Sequence, residues 1–312
     1  MIVTRTEPVN ASTLRIVLAQ SDGSDLPAWE PGAHIDLHLA TAEGEAVRQY
    51  SLCGDVADRR HYQVAVLRAE DSRGGSAFIH KGLREGDRLV VTGPRNHFPF
   101  RAAGSYLFIA GGIGITPILP MIAAAKASGA DWRLLFCART RDTMPFVDEL
   151  LVRGGDRITL QESRVKGRAD LAAHVRATLP ATQVYCCGPE PMIQEVEALS
   201  ENLSGDRVHV ERFSPRELPE PGPDDAFEVE FAQSGHVVVI QPGQSILSVA
   251  EDLGLDIDSS CLEGTCGTCE TRVIAGIPDH RDSVLTVKER AANQTMMVCV
   301  SRACSARLVL DA

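Results

Sequence analysis

Residues 261–270 read CLEGTCGTCE, with four and then two residues between successive cysteines, and a fourth cysteine, Cys299, follows after 29 intervening residues. A cysteine group of this kind can hold zinc, form disulfides or grip an iron–sulfur cluster, and each choice demands a different fold around it. The chain has nine cysteines, an odd number that a fully paired disulfide framework cannot use. Clustered cysteines in a cytosolic protein more often mean metal. Zinc sites usually present two C-x2-C knuckles, or one knuckle with paired histidines. Here the single knuckle is completed by lone cysteines. C-x4-C-x2-C with a distant fourth cysteine is instead a [2Fe–2S] spacing. Three thiolates on one tight loop wrap one side of the cluster, and a neighbouring segment closes the other.

Gly264 and Gly267 fall between the cysteines, where the backbone must turn sharply and bring N–H groups toward sulfur. Cys304 lies five residues beyond Cys299. The apolar run MMVCVSRA favours Cys299 as fourth ligand, with Cys53, Cys137 and Cys186 as ordinary small buried residues. The expected metal ligands are Cys261, Cys266, Cys269 and Cys299.

At 312 residues the chain has room for two or three domains. Its net charge of −11 speaks against nucleic acid, which needs a basic face. MIVTRTEPVN has no apolar segment of the kind a secretory signal carries. Residues 102–125 carry no charge, but GGIGITP at their centre suits a strand–loop–helix rather than a membrane span. The expectation is a cytoplasmic protein with no membrane partner.

Residues 1–100 read as β-rich. TLRIVLAQ, AHIDLHLA, YQVAVLRA and DRLVVTGP are short aliphatic runs bounded by Gly, Pro and Asp, which suggests a small antiparallel barrel. From residue 101 to 213 strands alternate with helices: YLFIAG, WRLLFCAR, RITLQES, QVYCCGP and RVHVERF are separated by helical patterns such as PILPMIAAAKASG, PFVDELLVRGG, ADLAAHVRAT and PMIQEVEALSEN. Such alternation predicts a parallel sheet covered by helices. Residues 214–226 include the proline-rich, acidic ELPEPGPDD and read as a semi-stiff linker. Residues 227–312 open on a hairpin, continue through the helix SILSVAEDLG and the cysteine group, and end in the strand ARLVLDA. They carry 12 acidic against 6 basic side chains, charges that suit docking on a basic partner and equally suit plain solubility.

Two loops of the middle segment point to a nucleotide. GGIGITP, residues 111–117, follows an apolar strand and opens a helix. Its glycines admit a pyrophosphate close to the backbone, with Thr116 placed to cap the helix and Pro117 at its first position. The spacing is not G-x-G-x-x-G. CCGPEPM ends a later strand of the same sheet, so Cys187, Gly188 and Pro189 are expected on the same carboxyl edge as Gly111, Gly112, Gly114 and Thr116. In the first segment RQYSL sets Arg48 and Tyr50 on one strand face, an arrangement that stacks a planar ring beside a phosphate-binding cation. Gly74, Gly75 and Ser76 at a helix start add an anion site. CARTRD, after the second strand of the middle segment, lies where a ribose 2′ group is read. Arg139 and Arg141 suit a 2′-phosphate there, and Asp142 opposes one.

Together these motifs resemble the ferredoxin–NADP reductase superfamily. Its R-x-Y-[ST] flavin motif is matched by Arg48, Tyr50 and Ser51, its G-G-x-G-[IV]-T-P loop by Gly111 to Pro117, and its C-G-P motif by Cys187 to Pro189. A plant-type ferredoxin domain at the C-terminus is similar to the phthalate dioxygenase reductase and vanillate demethylase reductase branch. The resemblance implies an antiparallel β-barrel flavin domain (1–100), an α/β nucleotide domain (101–213) and a β-grasp ferredoxin domain (227–312). It implies FMN from the domain order, with FAD the alternative. Tyr50 would pack on the isoalloxazine, Ser51 would lie near N5, and Arg48, Gly75 and Ser76 would hold the phosphate. NADH would bind over the Gly111 loop with its nicotinamide near Cys187. The implied catalytic pair is Ser51 and Cys187, and the implied acceptor is a Rieske-type oxygenase of an aromatic dioxygenase or demethylase system. The alternative is a stand-alone reductase of a small acceptor. Hydride transfer needs no general base, and no catalytic triad is expected.

Overall fold

The computed structural model describes residues 1–41, 44–69, 74–200, 207–216 and 224–312, and the chain divides into two units, Met1–Glu211 and Arg212–Ala312. Residues 217–223 of the expected linker, Ser72 and Arg73 before the first helix, and the tail of PMIQEVEALSEN beyond Ser200 lie outside the described residues.

Alternation of apolar side chains builds the start of the first unit. Strands β1 (Ile2–Asn10), β2 (Thr13–Ala19), β3 (His34–Thr41), β4 (Gly44–Ser51), β5 (Tyr62–Leu67) and β6 (Val90–Arg95) form two antiparallel three-stranded sheets, ordered β1-β2-β5 and β4-β3-β6. Bridges Ile2↔Arg88 and Leu52↔Val64 link them at both ends, which closes the barrel. Ile35, Leu37 and Leu39 of β3 alternate inward against Val64 and Val66 of β5. Each such side chain contributes about 1.5–3 kcal/mol on leaving water. Helix α1 (Gly75–Gly82) plugs the barrel through Ile79. Strand β1 is absent from the sequence reading because Arg5 and Glu7 are exposed or half-exposed along it, so it shows no apolar alternation.

The rest of the unit is wound α/β. Strands β7 (Ser105–Gly111), β8 (Asp131–Ala138), β9 (Ile158–Glu162), β10 (Gln183–Cys187) and β11 (Val208–Glu211) are all parallel, in the order β11-β10-β7-β8-β9. Helices α2 (Ile118–Ala127), α3 (Val147–Gly154), α4 (Ser163–Lys166), α5 (Leu171–Arg176) and α6 (Glu190–Ser200) connect them. Alternate residues feed two cores: Phe108, Phe136 and Tyr185 pack with Ile118 and Met121 on one face, and Ile109, Leu135 and Val184 with Val175 and Val196 on the other. The uncharged run 102–125 becomes β7, a tight turn and α2. Among the described residues no helix is long and apolar enough to cross a membrane. The strand order reverses between β7 and β10, which brings the loops after these two strands side by side at the carboxyl edge of the sheet.

The second unit is a small sheet, ordered β13-β12-β18-β14-β16, built from β12 (Phe227–Phe231), β13 (His236–Ile240), β14 (Glu270–Ala275), β16 (Thr295–Met297) and β18 (Arg307–Leu310), with a short pair β15 (Pro278–Asp279) and β17 (Arg302–Ala303) beside it. The hairpin β12–β13 is antiparallel and β12 pairs parallel with β18. Helix α7 (Ile246–Asp252), capped by the Ser245 hydroxyl 3.0 Å from Ser248 N–H, lays Ile246, Leu247 and Ala250 on Phe231, Met296 and Leu308. Helix α8 (Val287–Ala292) starts with a Thr286–Glu289 capping box. A helix laid across a mixed sheet gives the β-grasp form.

Candidate functional site

Three groups of residues in the two units carry the chemistry the motifs imply. The first lies on the carboxyl edge of the parallel sheet, at the switch between β7 and β10. Cys187 closes β10 in register with Ala110 of β7, so the loops that follow both strands meet. They meet through backbone. A Cβ on Gly114 would stand 2.2 Å from the Cys187 carbonyl oxygen. One on Gly111 would stand 2.4 Å from Pro189 Cδ, and one on Gly188 would stand 3.0 Å from Gly111 N. The edge is therefore a shallow floor of peptide groups, the form that lets a pyrophosphate lie against N–H dipoles. Gly112 takes φ 53°, a left-handed conformation natural to glycine.

Thr116 departs from the sequence expectation. Residues Gly112–Ile115 form a 3₁₀ turn that runs directly into α2, whose N-cap is Pro117. Thr116 is itself helical, and its hydroxyl donates back to Ile113 O at 3.0 Å instead of capping α2. The tight turn occupies the place where an extended N-cap residue would stand.

Glu211 was not singled out from the sequence. It ends β11 in register with Cys187, and its Oε2 lies 3.9 Å from the Cys187 sulfur. Burial raises the Glu211 carboxyl to about 8. Burial first, and then the carboxyl beside it, pushes the Cys187 thiol well above its ordinary value. Cys187 is thus a neutral thiol next to a proton-holding carboxyl. Only strand register pairs residues 24 apart, which is why ERF gave no signal.

The segment after β8, where the sequence expects a ribose 2′ group, borders a cleft of ≈ 640 Å³ that it shares with β1–β2. Arg141 reaches Asp148 at 2.7 Å, and its N–H donates to Glu162 Oε2 at 3.0 Å. Glu7, Asp142, Asp148, Glu149 and Glu162 line the cleft against Arg15 and Arg141. Arg15 pairs with both Glu7 and Glu149 and lies 4.9 Å over the Phe146 ring.

The second group belongs to the barrel. Arg48, Tyr50 and Ser51 sit on β4, opposite Leu37, Ile35 and His34 of β3. Ser51 is buried, Tyr50 packs on the barrel core, and burial pushes its phenol up. Gly74 (φ 77°) leads into α1, and the Arg48 side chain crosses the first turn so closely that a Cβ on Gly75 would lie 2.8 Å from Arg48 Cγ. The Ser76 hydroxyl accepts from Ala69 N–H at 3.2 Å. A guanidinium beside the opening turn of a helix suits a phosphate monoester.

The third group is the cysteine loop of the second unit. Cys266, Cys269 and Cys299 are buried, Cys261 is half-buried and Cys304 is exposed. The Cys261 sulfur interacts with Cys266 and Cys299, and Cys299 with Cys269, so four sulfurs converge while Cys304 stands apart beside Asp279 and Arg281. Contacts with the Cys266 and Cys299 thiols hold Cys261 far below the ordinary thiol range. Glu263 and Thr265 N–H donate to Cys261 Sγ at 3.3 and 3.4 Å, and Thr268 Oγ1 lies 3.1 Å from Cys266 Sγ. Leu262, Gly264 and Gly267 take positive φ to aim those groups inward. Four thiols with donors around them fit a [2Fe–2S] cluster.

Comparison with known proteins places these sites in context. Residues 229–305 match the family described as 2Fe-2S iron-sulfur cluster binding domain, and residues 108–198 that described as oxidoreductase NAD-binding domain. Phenoxybenzoate dioxygenase subunit beta of Ectopseudomonas oleovorans is 43% identical over 288 residues, 92% of this chain and 88% of that protein. The solved structure of phthalate dioxygenase reductase superposes with TM-score 0.71 at 34% identity, over 100% of this chain and 97% of that one. An intact type IV self-sufficient cytochrome P450 monooxygenase superposes with TM-score 0.90 at 41% identity. It covers all of this chain, which spans only 40% of that longer protein. An NAD-binding domain and a [2Fe–2S] domain on one chain define a nucleotide-dependent iron–sulfur oxidoreductase. The chain belongs to the phthalate dioxygenase reductase-like family of the ferredoxin–NADP reductase superfamily.

Proposed function

We propose that this chain is the reductase component of an oxygenase or demethylase system, taking electrons from NADH and delivering them singly to a separate Rieske-type oxygenase. The observation that carries the reading is the meeting of the Gly111 and Cys187 loops on one sheet edge, on a chain that also gathers four cysteine sulfurs. The proposed domains are residues 1–100, 101–213 and 227–312, joined by a linker at 214–226. FMN, when bound, would turn a two-electron donor into one-electron deliveries, and the [2Fe–2S] centre would be their exit.

The chain's own residues do the rest. Arg48 and the first turn of α1, through Gly74, Gly75 and Ser76, hold the flavin phosphate. Tyr50 offers its ring to the flavin, with Ser51 beside it. Gly111, Gly112, Gly114, Thr116 and Pro117 form the floor under the dinucleotide pyrophosphate, and Cys187, Gly188 and Pro189 face the nicotinamide end. Cys187 stays protonated and apolar there, so it shapes the pocket without attacking the ring. The carboxylates of the adenosine cleft, with Arg141 already paired, disfavour a 2′-phosphate and support NADH over NADPH.

The partner is tested by steady-state assay. With NADH as donor, this protein should reduce at least one purified Rieske oxygenase from a demethylase or dioxygenase system faster than a non-specific dye. Dye reduction outpacing every oxygenase would favour a small-molecule acceptor, and preference for a haem oxygenase would correct the partner class. Acid extraction of the flavin separates FMN from FAD.

A further inference from the structure

The segment behind the cysteine loop holds a charged group that the proposed electron path does not use. Asp282 is fully buried. Its Oδ2 accepts from Val284 N–H at 3.0 Å and Leu285 N–H at 2.7 Å, and lies 3.8 Å from Arg290 Nη2. Arg290 also donates to the Asp282 backbone oxygen at 2.6 Å. The other carboxyl oxygen, Oδ1, has no hydrogen-bond partner and lies 3.9 Å from His280 Nδ1, which is likewise without one. The far nitrogen of His280 is 3.1 Å from Asn293 Oδ1 at the end of α8.

This strap touches both halves of the proposed cluster cage. Gly264, between the first two cysteines, is pressed onto it: a Cβ there would stand 3.0 Å from Asp282 Cα and 2.6 Å from Val300 Cγ2. Ser283 N–H donates to Gly264 O at 2.8 Å. Arg281 N–H donates to Ser301 Oγ at 3.2 Å, two residues past Cys299. One short stretch therefore fixes the three-cysteine loop against the segment of the fourth.

We infer that Asp282 is a positioning residue that, paired with Arg290, sets the reduction potential of the cluster. The inference rests on the [2Fe–2S] reading of Cys261, Cys266, Cys269 and Cys299. A buried carboxylate behind a thiolate cage opposes the added negative charge of reduction, and the half-buried Arg290 guanidinium favours it. Low-dielectric surroundings keep the effect of Asp282 from being screened, and that of the partly exposed Arg290 is screened more. The two side chains thus act with opposite sign on one quantity while sharing the structural duty of tying the strap down.

The test uses the full-length holoprotein and spectroelectrochemical titration of the cluster, with iron and acid-labile sulfide counted first. Asp282→Asn keeps an acceptor for Val284 and Leu285 and removes the charge. It should raise the ratio of reduced to oxidised cluster at fixed potential about tenfold, or about 59 mV for a one-electron couple. Arg290→Gln should shift the ratio the other way by a smaller factor, about threefold or more. Opposite shifts with full cluster content support the inference. Shifts of the same sign, or potentials within a twofold change of the wild-type ratio in both variants, overturn it and leave the strap a purely structural device. Should Asp282→Asn lose iron and sulfide, Arg290→Gln decides alone: a lowered potential supports the inference, and an unchanged or raised one overturns it. Wild-type protein with stoichiometric zinc and no labile sulfide would refute the cluster reading itself, a distinct result.

Discussion

The sheet edge at Gly111–Gly114 and the cysteine loop at 261–269 both depend on glycine, and the leading reason differs. At the sheet edge Gly111, Gly114 and Gly188 are needed for absence of bulk: peptide groups from two loops stand where a methyl would be, 2.2 Å from the Cys187 carbonyl in the tightest case. Of the glycines in that pair of loops only Gly112 has positive φ. In the cysteine loop Gly264 and Gly267 are needed for handedness, at φ 68° and 73°, even Leu262 joins them at 58°, and Gly264 is short of room as well. The first site is a surface left flat, a form that suits a ligand's phosphates. The second is a backbone coiled so that N–H groups converge on sulfur. A glycine-rich motif thus says that the chain is unusual at a place, and the environment says in what way.

The largest effect that would break this comparison is expected at Gly114. Gly114→Ala drives a methyl into backbone that has no rotamer to escape through, so a loss of about 3 kcal/mol or more is expected. Thermal unfolding of the first unit and NADH affinity by titration check it. Unchanged NADH binding would mean that the two loops do not form the dinucleotide floor.

Gly264→Ala comes next, set beside Gly254→Ala. Both have similar φ, 68° and 74°, but nothing lies within 4 Å of a Cβ at Gly254. Gly254→Ala should cost only left-handed strain, about 1–2 kcal/mol. Gly264→Ala adds overpacking against Val300 and the Asp282 backbone, for about 3 kcal/mol in all, and should lower iron and sulfide per chain. Equal losses from the two variants would show that handedness alone governs the loop.

The effect that only a change of pH reveals concerns Glu211, the titrating group beside Cys187. Its carboxyl sits at about 8 in the fold against 4.5 as an ordinary side chain. Between those values the unfolded chain has lost a proton that the folded chain keeps, so this group makes stability fall as pH rises from 4.5 toward 8, with no further loss above. Glu211→Gln should therefore gain stability relative to the wild type between about pH 5 and about pH 8.5. Chemical denaturation midpoints at the two pH values check it, and a pH-independent difference would place the carboxyl in solvent.

Much of both sites was legible in the linear chain. The C-x4-C-x2-C…C spacing named the thiol group, since three ligands on one loop must be close in sequence. Gly111–Pro117 and Cys187–Pro189 announced themselves because close backbone approach leaves glycine and proline behind. The Thr116 cap was misread, since a threonine before a proline looks the same whether the helix starts freshly or continues from a 3₁₀ turn. Strand β1 was missed because a half-exposed strand has no apolar rhythm.

The residues missed at the sites share one property: their partners are far along the chain. Glu211 meets Cys187 through the register of β10 and β11. Glu162 meets Arg141 through the ends of β8 and β9. Asp282 meets Gly264 only because the strap before α8 folds across the cysteine loop. Sequence alone determined which residue types were gathered locally and which backbone positions had to be small or left-handed, because those demands act between near neighbours. Tertiary structure alone decided which charges are buried and what faces them, because desolvation depends on packing that distant segments supply.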